Sequence, residues 1–155
     1  MERVLLLGYF GAGNFGDDAL LTGWLAHHES WLREKEYLVD ISVHGECLPT
    51  GGFIESNGLN ELVGTKITRD ELLSVDVSSY RALVVPGGSL LQDESSLKSL
   101  LYYLWVIRRF ILAKVPVYLL NQGIGPLHTW LARFLTPRYL QNTRMLSFRD
   151  RDSYE

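Results

Sequence analysis

A single cysteine, Cys47, stands among 155 residues. That excludes an internal disulfide and a cysteine-based metal centre, and it fits a reducing, cytoplasmic compartment. Long hydrophobic runs are missing too: the most apolar stretch, Leu100–Ile107, is stopped by Arg108-Arg109 well short of a membrane span. The apolar residues Val4–Leu7 are too few for the hydrophobic region of a signal peptide. Neither sign of charge dominates, with 15 Lys and Arg against 18 Asp and Glu and a net charge of −3. The bulk field therefore gives no footprint for nucleic acid. The 4 histidines have no ligand spacing; His27 and His28 are adjacent and face different ways on a helix, so no metal is expected. Repeats and low-complexity tracts are absent. The sequence predicts a soluble protein.

What is present is an alternation of apolar runs and helical patterns. Val4–Leu7, Val39–His44, Ala82–Val85, Pro116–Leu120 and Arg144–Phe148 read as strands. Asp18–Arg33 reads as an amphipathic helix, with Leu20, Leu21, Trp24, Leu25, Trp31 and Leu32 at three- and four-residue spacing. Thr68–Leu73 opens with a capping signal, Thr68 followed three residues on by Glu71. Ser95–Lys114 predicts a long helix with Asp93 and Glu94 at its start; Leu127–Leu135 predicts a shorter one that Pro137 interrupts or ends. Gly45–Thr65 reads as loop with at most a short strand. Together these predict one α/β domain over residues 1–155, a Rossmann-like, mainly parallel sheet with helices on both faces. A domain of this length buries roughly 68–70% of its unfolded surface.

Four polar or glycine-rich segments fall at the carboxyl ends of the strands: GAGNFGDD (Gly11–Asp18), PGGSLLQD (Pro86–Asp93), NQGIGPL (Asn121–Leu127) and SFRD (Ser147–Asp150). Ligands of open α/β sheets bind beyond those ends, so the four segments define one crevice.

Gly11, Gly13 and Gly16 satisfy the dinucleotide pattern G-x-G-x-x-G. However, Asp17 and Asp18 occupy the helix end that would receive a pyrophosphate, where they repel it and suit the helix dipole instead. No ribose-binding acid closes the second strand either: Asp40 lies at its start and Glu46 just past it. Asn14 fits either a left-handed turn position or a ligand contact. Gly87 and Gly88 can turn N–H groups toward an anion with the Ser89 hydroxyl beside them, or form a plain strand-to-helix turn.

Asn121 and Gln122 carry amides suited to sugar hydroxyls or to backbone, and Gly123 and Gly125 shape a rigid turn before Pro126. Arg149 suits bidentate recognition of a carboxylate or phosphate, with an ion pair to Asp150 or Asp152 as the competing role. His44 and His128 read as a strand-end and a helix-start residue rather than catalysts. Tyr102, Tyr103 and Trp105 read as core or interface residues, or else, with Arg108, Arg109, Trp130 and Arg133, as a patch for peripheral membrane contact.

Taken together, GYFGAGNFGDDALL, VVPGGSLLQD, NQGIGPL and SFRDRDS resemble the polysaccharide pyruvyl transferase family, in particular its bacterial cell-wall members, in order and spacing over essentially the whole chain. PGGSLLQD departs from the pattern, since the family more often has a third glycine where Ser89 stands. The resemblance implies the N-terminal half of a GT-B-like two-domain enzyme, cut from a longer protein and lacking its C-terminal domain as intramolecular partner.

It also implies transfer of an enolpyruvyl unit from phosphoenolpyruvate, the co-substrate, onto two hydroxyls of a sugar, with no other cofactor. The service implied is cell-envelope polysaccharide biosynthesis, S-layer anchoring included. Asp17 is then the candidate base or hydroxyl ligand and Asn14 an acceptor contact. Gln122, Gly123 and Gly125 shape the pocket, and Arg149 reaches the donor anion. Because the family's donor-side cations and catalytic histidine are expected mainly in the C-terminal domain, this chain is expected to hold the acceptor. That acceptor would be carried on a lipid at the inner membrane face, and the chain would be inactive alone. A nucleotide-sugar glycosyltransferase and a non-catalytic glycan- or partner-binding domain are the alternatives.

Overall fold

A computed structural model describes residues 2–44 and 51–154. Cys47, Glu46 and the first residues of the Gly45–Thr65 stretch lie outside the described residues. The strands are β1 (Glu2–Phe10), β2 (Tyr37–Val43), β3 (Val63–Thr68), β4 (Tyr80–Val85), β5 (Gly88–Leu91), β6 (Val117–Ile124) and β7 (Met145–Phe148). The helices are α1 (Phe15–Glu34), α2 (Gly51–Ser56), α3 (Arg69–Ser74), α4 (Leu97–Leu112), α5 (Trp130–Leu140) and α6 (Arg151–Tyr154). Every strand pairing is parallel, in the order β3-β2-β1-β4-β6-β5 with β7 also on β6.

The apolar run of β1 supplies both faces of the sheet, as parallel strands covered on both sides require. Leu5 and Leu7 join one core with Leu100, Leu104 and Phe110 of α4 and Ala132 and Leu140 of α5. Val4 and Leu6 point the other way, into a second core with Leu21, Trp24, Leu25 and Leu32 of α1. Helices therefore cover both faces, and the fold is Rossmann-like.

The chain runs outward from β1 to β2 and β3, then returns to place β4 on the opposite side of β1. That reversal puts the switch point at the carboxyl ends of β1 and β4, where open sheets form their ligand crevice. Asp40 lies within β2, opposite Leu5, and is wholly buried. It accepts from Arg3 Nη1 at 2.9 Å, Thr65 N at 2.7 Å and the Tyr80 hydroxyl at 2.8 Å. It is a structural acid in the middle of its strand rather than at its start.

Several elements differ from their sequence expectation. β6 continues through Gln122 and Gly123, so half of NQGIGPL is strand rather than turn. Gly88–Leu91 is a strand, taking up the edge of β6 that β4 leaves: β4 pairs with Val117–Leu119, and β5 with Gln122 and Ile124. α4 begins at Leu97 with Ser96 as its cap, leaving Asp93 and Glu94 outside the helix. α5 starts three residues later than the periodicity suggests and passes through Pro137. Pro137 and Arg133, four residues earlier, are both exposed, so the carbonyl that loses its helical donor can meet water. Within Gly45–Thr65 the short strand is β3; α2 and a 3-10 turn at Leu59–Leu62 are additional, and they bury Ile54, Leu59 and Leu62 beside α1. Among the described residues, no helix is long and apolar enough to cross a membrane.

Candidate active site

The turn after β1 is set by Gly11 and Gly13, at φ 79 and 81, where a side chain would be strained. Asn14 is not in the left-handed region: at φ −91 and ψ 104 it is the extended cap of α1. Its Oδ1 accepts from Gly16 N at 3.1 Å, and its Nδ2 donates to Asp17 Oδ2 at 2.7 Å. The two adjacent carboxylates then divide. Asp18 is buried and turns back, its Oδ1 accepting from Gly11 N at 2.9 Å. Asp17 turns outward, over the sheet edge. Burial, reinforced by the charge of Asp18, holds the Asp17 carboxyl above its ordinary value.

The other segments meet Asp17 by close backbone approach. A β-carbon at Gly88 would stand 3.1 Å from Asp17 Oδ1, and one at Gly87 would stand 3.2 Å from both methyls of Leu20. Gly87 and Gly88, at φ 150 and 98, let the chain pass close to α1 and restart as β5. On the neighbouring strand, a β-carbon at Gly123 would stand 2.7 Å from Ser89 Oγ and 2.8 Å from Arg149 Nη2. Ser89 and Arg149 therefore lie together over the bare backbone of β6.

The result is an open crevice of about 1040 Å³. Of the residues expected from sequence, Asn14, Gly16, Asp17, Gly88, Ser89 and Arg149 line it. Gly11, Gly13, Gly87 and Gly123 are not among its lining residues, and Gly125, at φ 87, lies past the end of β6. Gln122 is turned away: it is wholly buried, and its Nε2 donates to Leu120 O at 2.8 Å and Val85 O at 3.2 Å, leaving Oε1 without a donor. Its strand position explains this, because neighbouring residues of a strand face opposite sides. Asn121, held at φ 48 with its N–H donating to Ser147 Oγ at 2.9 Å, lines the crevice instead.

Sequence reasoning missed Tyr9, Arg69, Lys98 and Tyr103, which also line the crevice. The signal was available for two of them: Arg69 is the first residue after β3 and Tyr9 the penultimate residue of β1, both at carboxyl strand ends. The Arg69 guanidinium sits 4.0 Å from the centre of the Tyr102 ring, which fixes its direction. Arg149 also makes the Asp150 pair foreseen as its competing role, at 3.1 Å, but both partners are largely exposed and the pair is weak. Three cations, Arg69, Lys98 and Arg149, thus share the crevice with one carboxylate, Asp17. Such a site suits a polyanion beside a group that must lose a proton.

Asp93 holds the edge of this site. Its carboxylate accepts from His128 N at 2.6 Å, Thr129 N at 2.8 Å and Thr129 Oγ1 at 2.7 Å. The backbone N–H of His128, with the Thr129 donors, pulls its pKa down to about 2 despite burial. It ties the segment after β5 to the start of α5. Among the described residues, no three His, Cys, Asp or Glu side chains gather as a metal site.

The family model for polysaccharide pyruvyl transferase matches residues 14–155. The chain belongs to that family. A search of curated proteins returns no match. The match takes in the cap of α1, Asp17 and the three later strand-end segments, so the crevice of this pyruvyl transferase family member is built almost wholly from matched residues. The family description assigns polysaccharide pyruvyl transfer as the general activity.

Proposed function

We propose that this pyruvyl transferase moves an enolpyruvyl unit from phosphoenolpyruvate to two hydroxyls of a cell-envelope sugar, with the acceptor held in the crevice. The observation that carries this reading is the shared placement of a half-buried carboxylate and three cations. Asp17 takes the proton of the attacking hydroxyl as its oxygen bonds to C2 of the enolpyruvyl group. The methylene carbon gains one proton and becomes a methyl. The C2–O bond to phosphate breaks, and phosphate leaves with its electron pair. A second hydroxyl then adds to C2 and loses its proton, closing the cyclic ketal.

Arg149 pairs with the donor's carboxylate or phosphate, where its guanidinium matches two oxygens at once. Asn14 orients Asp17 through its amide, and the Ser89 hydroxyl and Asn121 amide contact the sugar. Burial and the neighbouring Asp18 charge raise the Asp17 pKa, which makes its carboxylate a stronger base than an ordinary aspartate.

The test is phosphate release from phosphoenolpyruvate by the longer protein that carries the C-terminal domain, in the presence of a lipid-linked amino-sugar disaccharide. Asp17→Asn and Arg149→Ala are expected to lower it by about two orders of magnitude or more, as loss of a base or an anion clamp does. Phosphate release unaffected by both substitutions overturns the assignment.

A further inference from the structure

We propose that the outer face of α5 docks on an anionic lipid bilayer. Trp130, Arg133, Phe134, Pro137, Arg138 and Gln141 recur at the spacing of a single helix face, and all are exposed. Trp130 is 77% and Phe134 57% exposed, one turn apart. The opposite face, Ala132, Thr136 and Leu140, is buried beside α4. The helix is amphipathic in an unusual sense: its solvent side carries two large aromatics and two arginines in place of the usual acid–base mixture.

The surroundings repeat the pattern. Arg138 stands 5.9 Å from the Phe134 ring, and a shallow hollow of about 340 Å³ between α4 and α5 is lined by Arg108, Leu112 and Arg138 among others. Leu112 is 68% exposed. From Ser95 to Arg149 the sequence holds eight Lys and Arg and no Asp or Glu, in a chain whose net charge is −3. This region is cationic against the charge of the whole chain. Aromatic side chains flanked by arginines fit the bilayer interface, the rings entering the acyl boundary while the guanidiniums meet headgroup phosphates.

The grouping differs from the patch expected from sequence. Tyr103 is buried, Tyr102 lies under Arg69, and the Arg109 guanidinium donates to the Leu72 and Val75 carbonyls at 2.6 Å each. Trp130, Arg133 and Arg108 remain, joined by Phe134 and Arg138, while Trp105 lies exposed on α4 with the Arg109 guanidinium 4.8 Å from its ring. The proposal stands on this surface and is independent of the chemistry assigned to the crevice.

Co-sedimentation with phosphatidylglycerol–phosphatidylcholine vesicles tests it, with pure phosphatidylcholine vesicles as the neutral arm. Binding is expected to the anionic vesicles and to weaken with salt. Trp130→Ala/Phe134→Ala and Arg133→Gln/Arg138→Gln should each reduce the partition coefficient roughly tenfold. Circular dichroism and Tm should stay at parental values, because the substituted side chains are exposed. Quenching of Trp fluorescence by brominated lipid, lost in Trp130→Phe, reads the same contact without a disruptive change. The proposal is overturned by absence of binding to anionic vesicles, or by binding that neither double variant weakens. A solution dimer that dissociates in Trp130→Ala/Phe134→Ala overturns it as well, in favour of a second copy on this face.

Discussion

The guanidinium of Arg149 lies across the backbone of Gly123, so close that a β-carbon there would stand 2.8 Å from Nη2. Gly123 lies on β6 and Arg149 directly follows the parallel strand β7, and Arg149 N donates to Gln122 O at 3.0 Å. Glycine at 123 therefore sets where the arginine head rests. Gly123→Ala should push that head, and the Ser89 hydroxyl with it, away from the crevice floor. We expect kcat/KM for phosphoenolpyruvate to fall roughly tenfold or more, since an ångström of misplacement is costly in a positioned site. Tm should change little, because both displaced groups are the ends of mobile side chains. Steady-state kinetics beside a thermal melt would show it; parental kcat/KM would mean the position of Arg149 is not critical.

Asp17 carries a stability cost with a definite sign. Its folded pKa lies above the ordinary 3.8, so folding favours the protonated form. That contribution is present below the unfolded pKa and is lost as pH rises through the folded value. At neutral pH the ionised, half-buried carboxylate beside Asp18 therefore destabilises the fold. Asp17→Asn should raise Tm by roughly 1–3 °C at pH 7 while abolishing transfer, and the gain should vanish below about pH 4. Differential scanning calorimetry across that range decides it, and a lowered Tm at pH 7 would contradict it.

Asp93 has the opposite sign. With a pKa pulled down to about 2, it contributes stability that is present above the ordinary 3.8 and lost as pH falls toward 2. Asp93→Asn should lower Tm at neutral pH, since an amide cannot accept all three bonds from His128 and Thr129. The variant's stability should also be flatter than the parent's between pH 4 and 2. Urea melts at several pH values give both quantities; parallel profiles would rule out the carboxylate as their cause.

Gly8 is a packing position within β1. A β-carbon there would collide with the ring of Phe10, which is buried at 1% exposure. Gly8→Ala should cost about 1–3 kcal/mol through overpacking, measured by chemical denaturation, with crevice residues unaltered. A cost near zero would show that the ring can move.

Much of the fold was legible because its signals are local. Val4–Leu7, Ala82–Val85 and Pro116–Leu120 are short apolar runs buried on both faces, and Thr68 with Glu71 forms the capping box expected of it. β5 and α2 were not legible, being four and six residues long, too short for any periodicity to declare itself. Pro137 misled because the cost of a missing N–H depends on whether water reaches the orphaned carbonyl, which burial decides. In the site, Asp17, Ser89 and Arg149 were found through the rule that ligands gather at carboxyl strand ends. Gln122 was placed there too, because nothing in NQGIGPL shows that the strand continues four residues further, to Ile124, and turns the Gln122 side chain into the core.

The sequence by itself determined the strand–helix alternation, the parallel sheet and the four strand-end segments, since each depends on apolar spacing and on glycines within a few residues. Tertiary structure alone decided that Asp17 faces the crevice while Asp18 turns back to Gly11, and that Arg149 rests on Gly123. It alone brought in Lys98, which stands on α4 rather than at a strand end. Those outcomes depend on which strands lie side by side and which backbone lacks a β-carbon at the crossing, and such close approaches join residues as far apart in sequence as Asp17 and Gly88.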